Sequence, residues 1–278
     1  KGKEKNKYTK VIQTSAINIT KETPIKVDIP VKNKVSKEEG TYYVQGKISL
    51  GNKNSIWINK YKFEFSNPIH FHHIIVYIDP IESNPEKGYM FNPKKISSSP
   101  YLHLGTNPAM AYHNFIPPKH AYLVPENAEL FYQIHIEPYG KDLENLKAEL
   151  HLFESKEKPT FQIITTLVNN RSIFIEANSE KTIRLAWKPN SNIELFSVRP
   201  HMHFSGKSSR IYFKNSKKVI YRDKGYFPFT TNTYYFSTPE SISKGTEVIF
   251  EHSFDNTSKN PWNLFPELSK SYGPSVKD

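Results

Sequence analysis

Ile56-Trp-Ile-Asn-Lys-Tyr-Lys-Phe-Glu-Phe65 and, a few residues on, His70-Phe-His-His-Ile-Ile-Val-Tyr77 are the runs whose reading decides the fold. Both are dense in β-branched and aromatic residues, the composition of a strand rather than a helix. Similar segments lie on either side: Thr41–Leu50, Glu129–Glu137 and Leu146–Glu154 in the first half, then Thr160–Val168, Ser172–Ala177, Thr182–Trp187, Ile193–His203, Arg210–Phe213, Val219–Arg222, Thr233–Phe236 and Thr246–Phe254. Weaker alternation runs through Tyr8–Ile19 and Pro24–Val31 in a polar, Lys-rich opening, and Pro80–Pro118 is a long excursion rich in Pro, Ser and Asn. No stretch holds a helical period for three heptads. The spacing predicts an all-β chain of two consecutive antiparallel β-sandwich, jelly-roll-like domains. The charged patch Glu154-Ser-Lys-Glu-Lys-Pro159 divides them, giving residues 1–156 and 157–278.

The formal charge of +11 over 278 residues comes overwhelmingly from Lys, scattered apart from the run Lys1, Lys3, Lys5, Lys7 and Lys10. A nucleic-acid binder gathers Arg and Lys on one face and uses Arg for bidentate phosphate contacts. The pattern here is that of a solvated surface, and no nucleic-acid partner is expected. The absence of Cys removes disulfides, thiolate zinc sites and blue-copper ligation. No run approaches the ~18 apolar residues of a transmembrane helix. The chain opens at Lys1 with neither Met nor an apolar leader, as a processed or trimmed chain does.

Histidines carry the chemistry. They cluster in three β-like segments: His70, His72 and His73; His135 in Tyr-Gln-Ile-His-Ile-Glu; and His201 with His203 in Arg-Pro-His-Met-His-Phe. Neutral imidazole is the commonest protein ligand for transition metals. In a strand, His201 and His203 share a face and Met202 points away; equally, His70 pairs with His72, while His72 and His73 diverge unless a bulge brings them together. His135 on its own reads as a hydrogen-bonded core residue. Competing metal classes lack their marks: no H-x-H-x-D-H run, no cupin-spaced Glu after His203, no His-Glu-x-x-His, and no helices for an amidohydrolase barrel. His103, His113, His120, His151 and His252 read as surface or packing residues, with His103 and His113 placed to line a cleft, and Trp57, Trp187 and Trp262 as core or cleft wall. Asn18, Asn170 and Asn256 open glycosylation sequons.

Three passages resemble the copper type II, ascorbate-dependent monooxygenases, the family of peptidylglycine α-hydroxylating and dopamine β-monooxygenases and their bacterial relatives. They are His72-His73-Ile-Ile-Val-Tyr; Pro117 to Pro125 followed by Leu130-Phe-Tyr-Gln-Ile-His135-Ile-Glu-Pro-Tyr-Gly140-Lys; and Arg199-Pro-His-Met-His-Phe-Ser-Gly-Lys207 with Lys244-Gly-Thr and Phe254-Asp-Asn-Thr-Ser-Lys-Asn-Pro261. The likeness runs from about residue 41 to the C-terminus and its strength lies in the shared order of the motifs. It implies two β-sandwiches with one copper each across an open cleft. His72, His73 and His135 would form the electron-accepting site and His201 and His203 the oxygen-binding, catalytic site, with His70 as a supporting or alternative ligand. Two coppers, ascorbate as electron donor and a small-molecule or peptide substrate follow from the same likeness; a secreted or periplasmic location is the expectation drawn from the processed look of the chain's start. The family completes its second site with a Met from a Glu-Met pair shortly beyond the segment resembling Ser271–Asp278; the methionines here are Met90, Met110 and Met202, and none matches. A chain truncated before that Met is the expectation. The alternatives are a non-catalytic copper- or ligand-binding double sandwich, which a missing Met favours, and a polyanion-binding β protein using its Lys excess.

Overall fold

The computed structural model describes residues 23–38, 42–78, 96–99, 101–106, 116–170, 172–226, 233–263 and 265–271. Within them the chain is all-β, as expected, in antiparallel sheets apart from a short parallel contact between Phe161–Gln162 and His120–Ala121 and a single parallel bridge between Tyr101 and Leu123. The expected Tyr8–Ile19 strand and much of the Pro80–Pro118 excursion lie outside the described residues. Among the described residues no helix is long and apolar enough to cross a membrane.

The first half is a sandwich of two sheets. One holds, in spatial order, Ile25–Ile29, Ala148–Glu154, Ile56–Phe65, His120–Val124 and Phe161–Gln162; the other holds Tyr42–Ser49, Glu129–Ile136, Phe71–Tyr77 and His103–Thr106. Side chains alternate across a strand with period two, so each strand gives one set to the core and the other to the outside. Val27, Ile58, Phe63, Leu150 and Leu152 from the first sheet meet Ile74, Val76, Leu130, Ile134 and Ile136 from the second. Each such side chain contributes about 1.5–3 kcal/mol by leaving water. Alternation then sends Gln133 and His135 to the outer face of the second sheet. Tyr43 stands opposite His135, and so does His73 on the other side.

The second half pairs Glu180–Trp187, Val248–Asp255, Gly206–Phe213 and Val219–Asp223 in one sheet, with Ile193–Val198 and Tyr234–Ile242 as a separate ribbon. Its core is smaller: Val198, Ile211, Ile220, Tyr221, Ile242 and Val248, with a satellite of Ile175, Met202, Tyr226 and Phe254. Hydrogen bonding to first-half strands continues through Val168, beyond the charged patch at which the sequence reading divided the chain, because Phe161–Gln162 and Thr165–Val168 pair with His120–Ala121 and Ile96–Ser99. The outer face of the first half's second sheet and the inner side of the second half enclose a cavity of about 1680 Å³.

One sequon is structural. Asn256 is fully buried, donates to the carbonyls of Glu176 and Leu268, and accepts from Asn263, so it cannot carry a glycan in the folded chain. Asn18 lies outside the described residues.

Candidate metal centre

A β-bulge makes the first part of the centre. Pairing between Phe71–Tyr77 and Glu129–Ile136 slips between Phe71 and His73, so Phe71 opposes Ile136 while His73 opposes His135. The slipped residue, His72, turns to the side of His73 instead of the opposite face. The Nδ1 atoms of His72 and His73 come to 3.3 Å, and candidate donor nitrogens of His72, His73 and His135 all lie within 4.8 Å of one another. All three residues are buried.

The second part is a loop, not the strand expected through His203. The Ile193–Val198 strand ends, and residues 199–205 turn before Gly206–Phe213 begins. The turn is closed by Gly206 N–H donating to the His203 carbonyl, by Asp255 N–H donating to the Ser205 carbonyl and by the Asn260 amide donating to the Phe204 carbonyl. Tyr226 holds its middle: the hydroxyl accepts from Met202 N–H at 2.9 Å and donates to the Met202 carbonyl. Met202 is thereby packed inward against Ile175, Tyr226 and Phe254, away from the imidazoles, as strand alternation had also required. His201 and His203 emerge on the other side with their Nε2 atoms 3.2 Å apart.

The two sets are neighbours. The His201 ring centroid is 5.6 Å from that of His73 and 6.4 Å from that of His72, and His203 is 6.4 Å from His72. The open cleft that the family likeness implied between them is replaced by one cluster of five imidazoles, a triad against a pair. His70 is not in it. It closes a short 3-10 turn, and its Nδ1 donates to the Glu137 carbonyl at 2.9 Å.

Desolvation by burial, and then the neighbouring imidazoles, hold the His73 pKa well below the usual value and draw His135 down to about 2. A Glu137 oxygen lies 2.7 Å from His135 Nε2, which by itself would favour imidazolium. The state that satisfies both is a neutral ring donating Nε2–H to the carboxylate. Desolvation, then His203, His73, His72 and Arg199, lower His201 too, although its ring is exposed to the cavity and solvent there tempers the first cause. Facing like nitrogens at such distances can be satisfied in two ways: one ring donates its N–H to the other, or both offer lone pairs to an ion between them, so the cluster is a group that could hold a metal ion.

Burial likewise lowers His103 to about 3 and His252 to about 4, and both line the cavity. These folded values lie below the unfolded ~6.5, so the unfolded chain binds the extra protons. Stability is full above about pH 6.5 and falls as pH drops toward the folded values, by roughly 1.4 kcal/mol per pH unit for each such histidine. Urea midpoints of the metal-free chain are expected to drop clearly between pH 7.5 and 5, before most carboxylates titrate; equal midpoints would contradict a neutral buried cluster.

Sequence reasoning missed the supporting residues. Tyr43 stacks on His135 at 4.4 Å and its hydroxyl lies 3.0 Å from His135 Nδ1. Gln133 Oε1 lies 3.3 Å from His73 Nε2. Glu137 follows His135 by two residues, a signal available in the sequence, whereas Tyr43 required the strand register. Arg199, partly buried, lines the cavity with its guanidinium against Gly105, where a Cβ would stand 2.6 Å from Nη1; Tyr61, Tyr122 and Tyr235 surround it. Burial lowers its pKa, but from so high a value that it stays a cation. His120, read as surface or packing, stacks on Phe161 at the cavity rim, and His113 lies outside the described residues.

Glu64, Glu149 and His151 form another group of candidate donors. Glu64 stands opposite Glu149, but Lys62 Nζ is 2.5 Å from Glu64 and His151 Nε2 is 3.0 Å from Glu149. Lys62, two residues along the same strand and on the same face, lowers the Glu64 pKa through its hydrogen bond and charge. The group is a charge ladder on an outer sheet face. The chain matches no protein-family model and no curated protein.

Proposed function

We propose that the chain is a copper-dependent monooxygenase that uses dioxygen and a reductant such as ascorbate to hydroxylate a C–H bond of a small-molecule or peptide substrate. The observation that carries this reading is the meeting of five imidazoles, with facing Nδ1 atoms at 3.3 Å and facing Nε2 atoms at 3.2 Å, three of which (His73, His201 and His203) line a large cavity. His72, His73 and His135 would hold one ion and His201 and His203 a second. All-imidazole donor sets suit copper, zinc, iron and nickel, and the order of the motifs favours copper. Copper, when bound, would supply one-electron redox chemistry and dioxygen activation. The protein's own part is to keep His73 and His135 neutral by burial, to aim the five imidazoles through the bulge and the Tyr226-held loop, and to bring substrate beside them. Arg199, two residues from His201 and facing the cavity, suits a substrate with an anionic group.

A non-catalytic copper-binding role is the second reading. It draws on one observation: among the described residues no thioether joins His201 and His203, since Met202 packs inward. Metal analysis combined with oxygen-electrode measurements separates the two. Two coppers per chain with ascorbate-dependent oxygen uptake is the expected result; copper binding without uptake on any substrate favours the second reading, and a chain that takes up no copper sinks both.

A further inference from the structure

We infer that Glu137 is a positioning residue that presents His135 Nδ1 to the metal and biases the triad toward the higher oxidation state of its ion, an inference that rests on the copper reading above. Glu137 is buried, with Oε1 2.7 Å from His135 Nε2. Its backbone is held on both sides by one residue: Glu137 N–H donates to the His70 carbonyl at 2.8 Å, and the Glu137 carbonyl accepts from His70 Nδ1 at 2.9 Å. Tyr139 packs over the His70 ring at 5.8 Å. This clamp gives His70 its role, support of the carboxylate rather than ligation.

A carboxylate that accepts Nε2–H leaves the lone pair of His135 on Nδ1, the atom that Tyr43 contacts at 3.0 Å in the metal-free chain. The Tyr43 O–H donates to that lone pair and would give it up to a bound ion. His72 and His73 also bring Nδ1 atoms together, so the tautomer set by Glu137 matches the atoms its two companions offer. The carboxylate further makes the imidazole a stronger donor and places negative charge one ring away from the ion. Both effects stabilise a divalent over a monovalent ion. The triad is then the half that gives up an electron readily, and Glu137 is the cause.

The test compares the wild-type chain with Glu137→Gln, which keeps an acceptor oxygen but loses the charge, with Glu137→Ala, which loses both, and with Glu137→Asp as the conservative rescue. Copper content is measured first: a wild-type chain without copper overturns the functional reading itself, whatever the variants do. With copper bound, Glu137→Gln is expected to lower the preference for Cu(II) over Cu(I) at the triad about tenfold, a rise of ~59 mV in a redox titration followed by the Cu(II) electron paramagnetic resonance signal. Glu137→Ala is expected to weaken copper binding 10–100-fold, with partial recovery in Glu137→Asp. Nitrogen-15 spectra of the metal-free protein supply a readout independent of copper: His135 is Nε2-protonated in wild type and gains the Nδ1–H form in Glu137→Ala. A wild-type protein that binds copper, with potential, affinity and tautomer all unchanged in the variants, overturns the inference and leaves the functional reading standing.

Discussion

Copper at about a thousandfold excess over its dissociation constant is expected to raise the thermal midpoint of the wild-type chain by about 10 °C, and His73→Ala is expected to lose most of that rise. A ligand that binds only the folded state at this excess stabilises it by about 4 kcal/mol, and a chain of this size gains about 2–4 °C per kcal/mol. His73 is the choice because its ring touches both sets: its centroid is 5.1 Å from His135, 5.5 Å from His72 and 5.6 Å from His201. The metal-free variant should fare better than an ordinary core truncation. The lost ring is a desolvated imidazole facing other imidazoles, so its removal relieves a crowded donor site while leaving the Ile74 and Ile134 core on the far side of the sheet intact. Scanning calorimetry with and without copper checks this; an undiminished shift in the variant would show that copper binds elsewhere.

Gly206→Ala is expected to destabilise the fold by about 1–3 kcal/mol, the usual cost of overpacking, and to remove metal from the His201/His203 pair. A Cβ at Gly206 would stand 2.7 Å from the Tyr226 ring, 2.8 Å from Met202 Cβ and 3.0 Å from the His203 carbonyl oxygen. None of these is the loose end of a flexible side chain. The Tyr226 ring is held by its hydrogen bonds to Met202, and the other two atoms belong to the turn itself. Relief therefore comes only by shifting the turn that aims the two imidazoles. Copper analysis should find the triad's ion retained and the pair's ion lost, with a lower urea midpoint. Retention of both at wild-type affinity would mean that the turn tolerates displacement.

The strands were legible because period-two alternation and β-branched composition are local properties. Ile56–Phe65 is a strand over the same residues in sequence and structure, and Glu129–Ile136 ends one residue early. The bulge at His72 was legible only as a condition, since a slip in pairing depends on the partner strand. His201–Met202–His203 was read as strand because H-x-H alternates like one; the structure reaches the same outcome, imidazoles together and Met202 inward, through a turn held by Tyr226, which lies 24 residues away. The adjacency of triad and pair depends on how the halves pack, and no local pattern carries that. Arg199 and Tyr43 were passed over for the same reason, as their meaning comes from neighbours across the cavity and across the sheet.

Along Glu129–Ile136 the odd and even positions lead separate lives: Leu130, Tyr132, Ile134 and Ile136 hold the sandwich together, while Gln133 lines the cavity and His135 joins the imidazole cluster on the same face. Substitutions at even numbers should therefore be felt as thermal fragility and at odd numbers as altered chemistry, with little crosstalk. A single inserted residue ahead of Gln133 has no such mercy, for it would exchange the two populations at once, putting an imidazole into the hydrocarbon interior and isoleucines onto the face that carries the imidazole cluster.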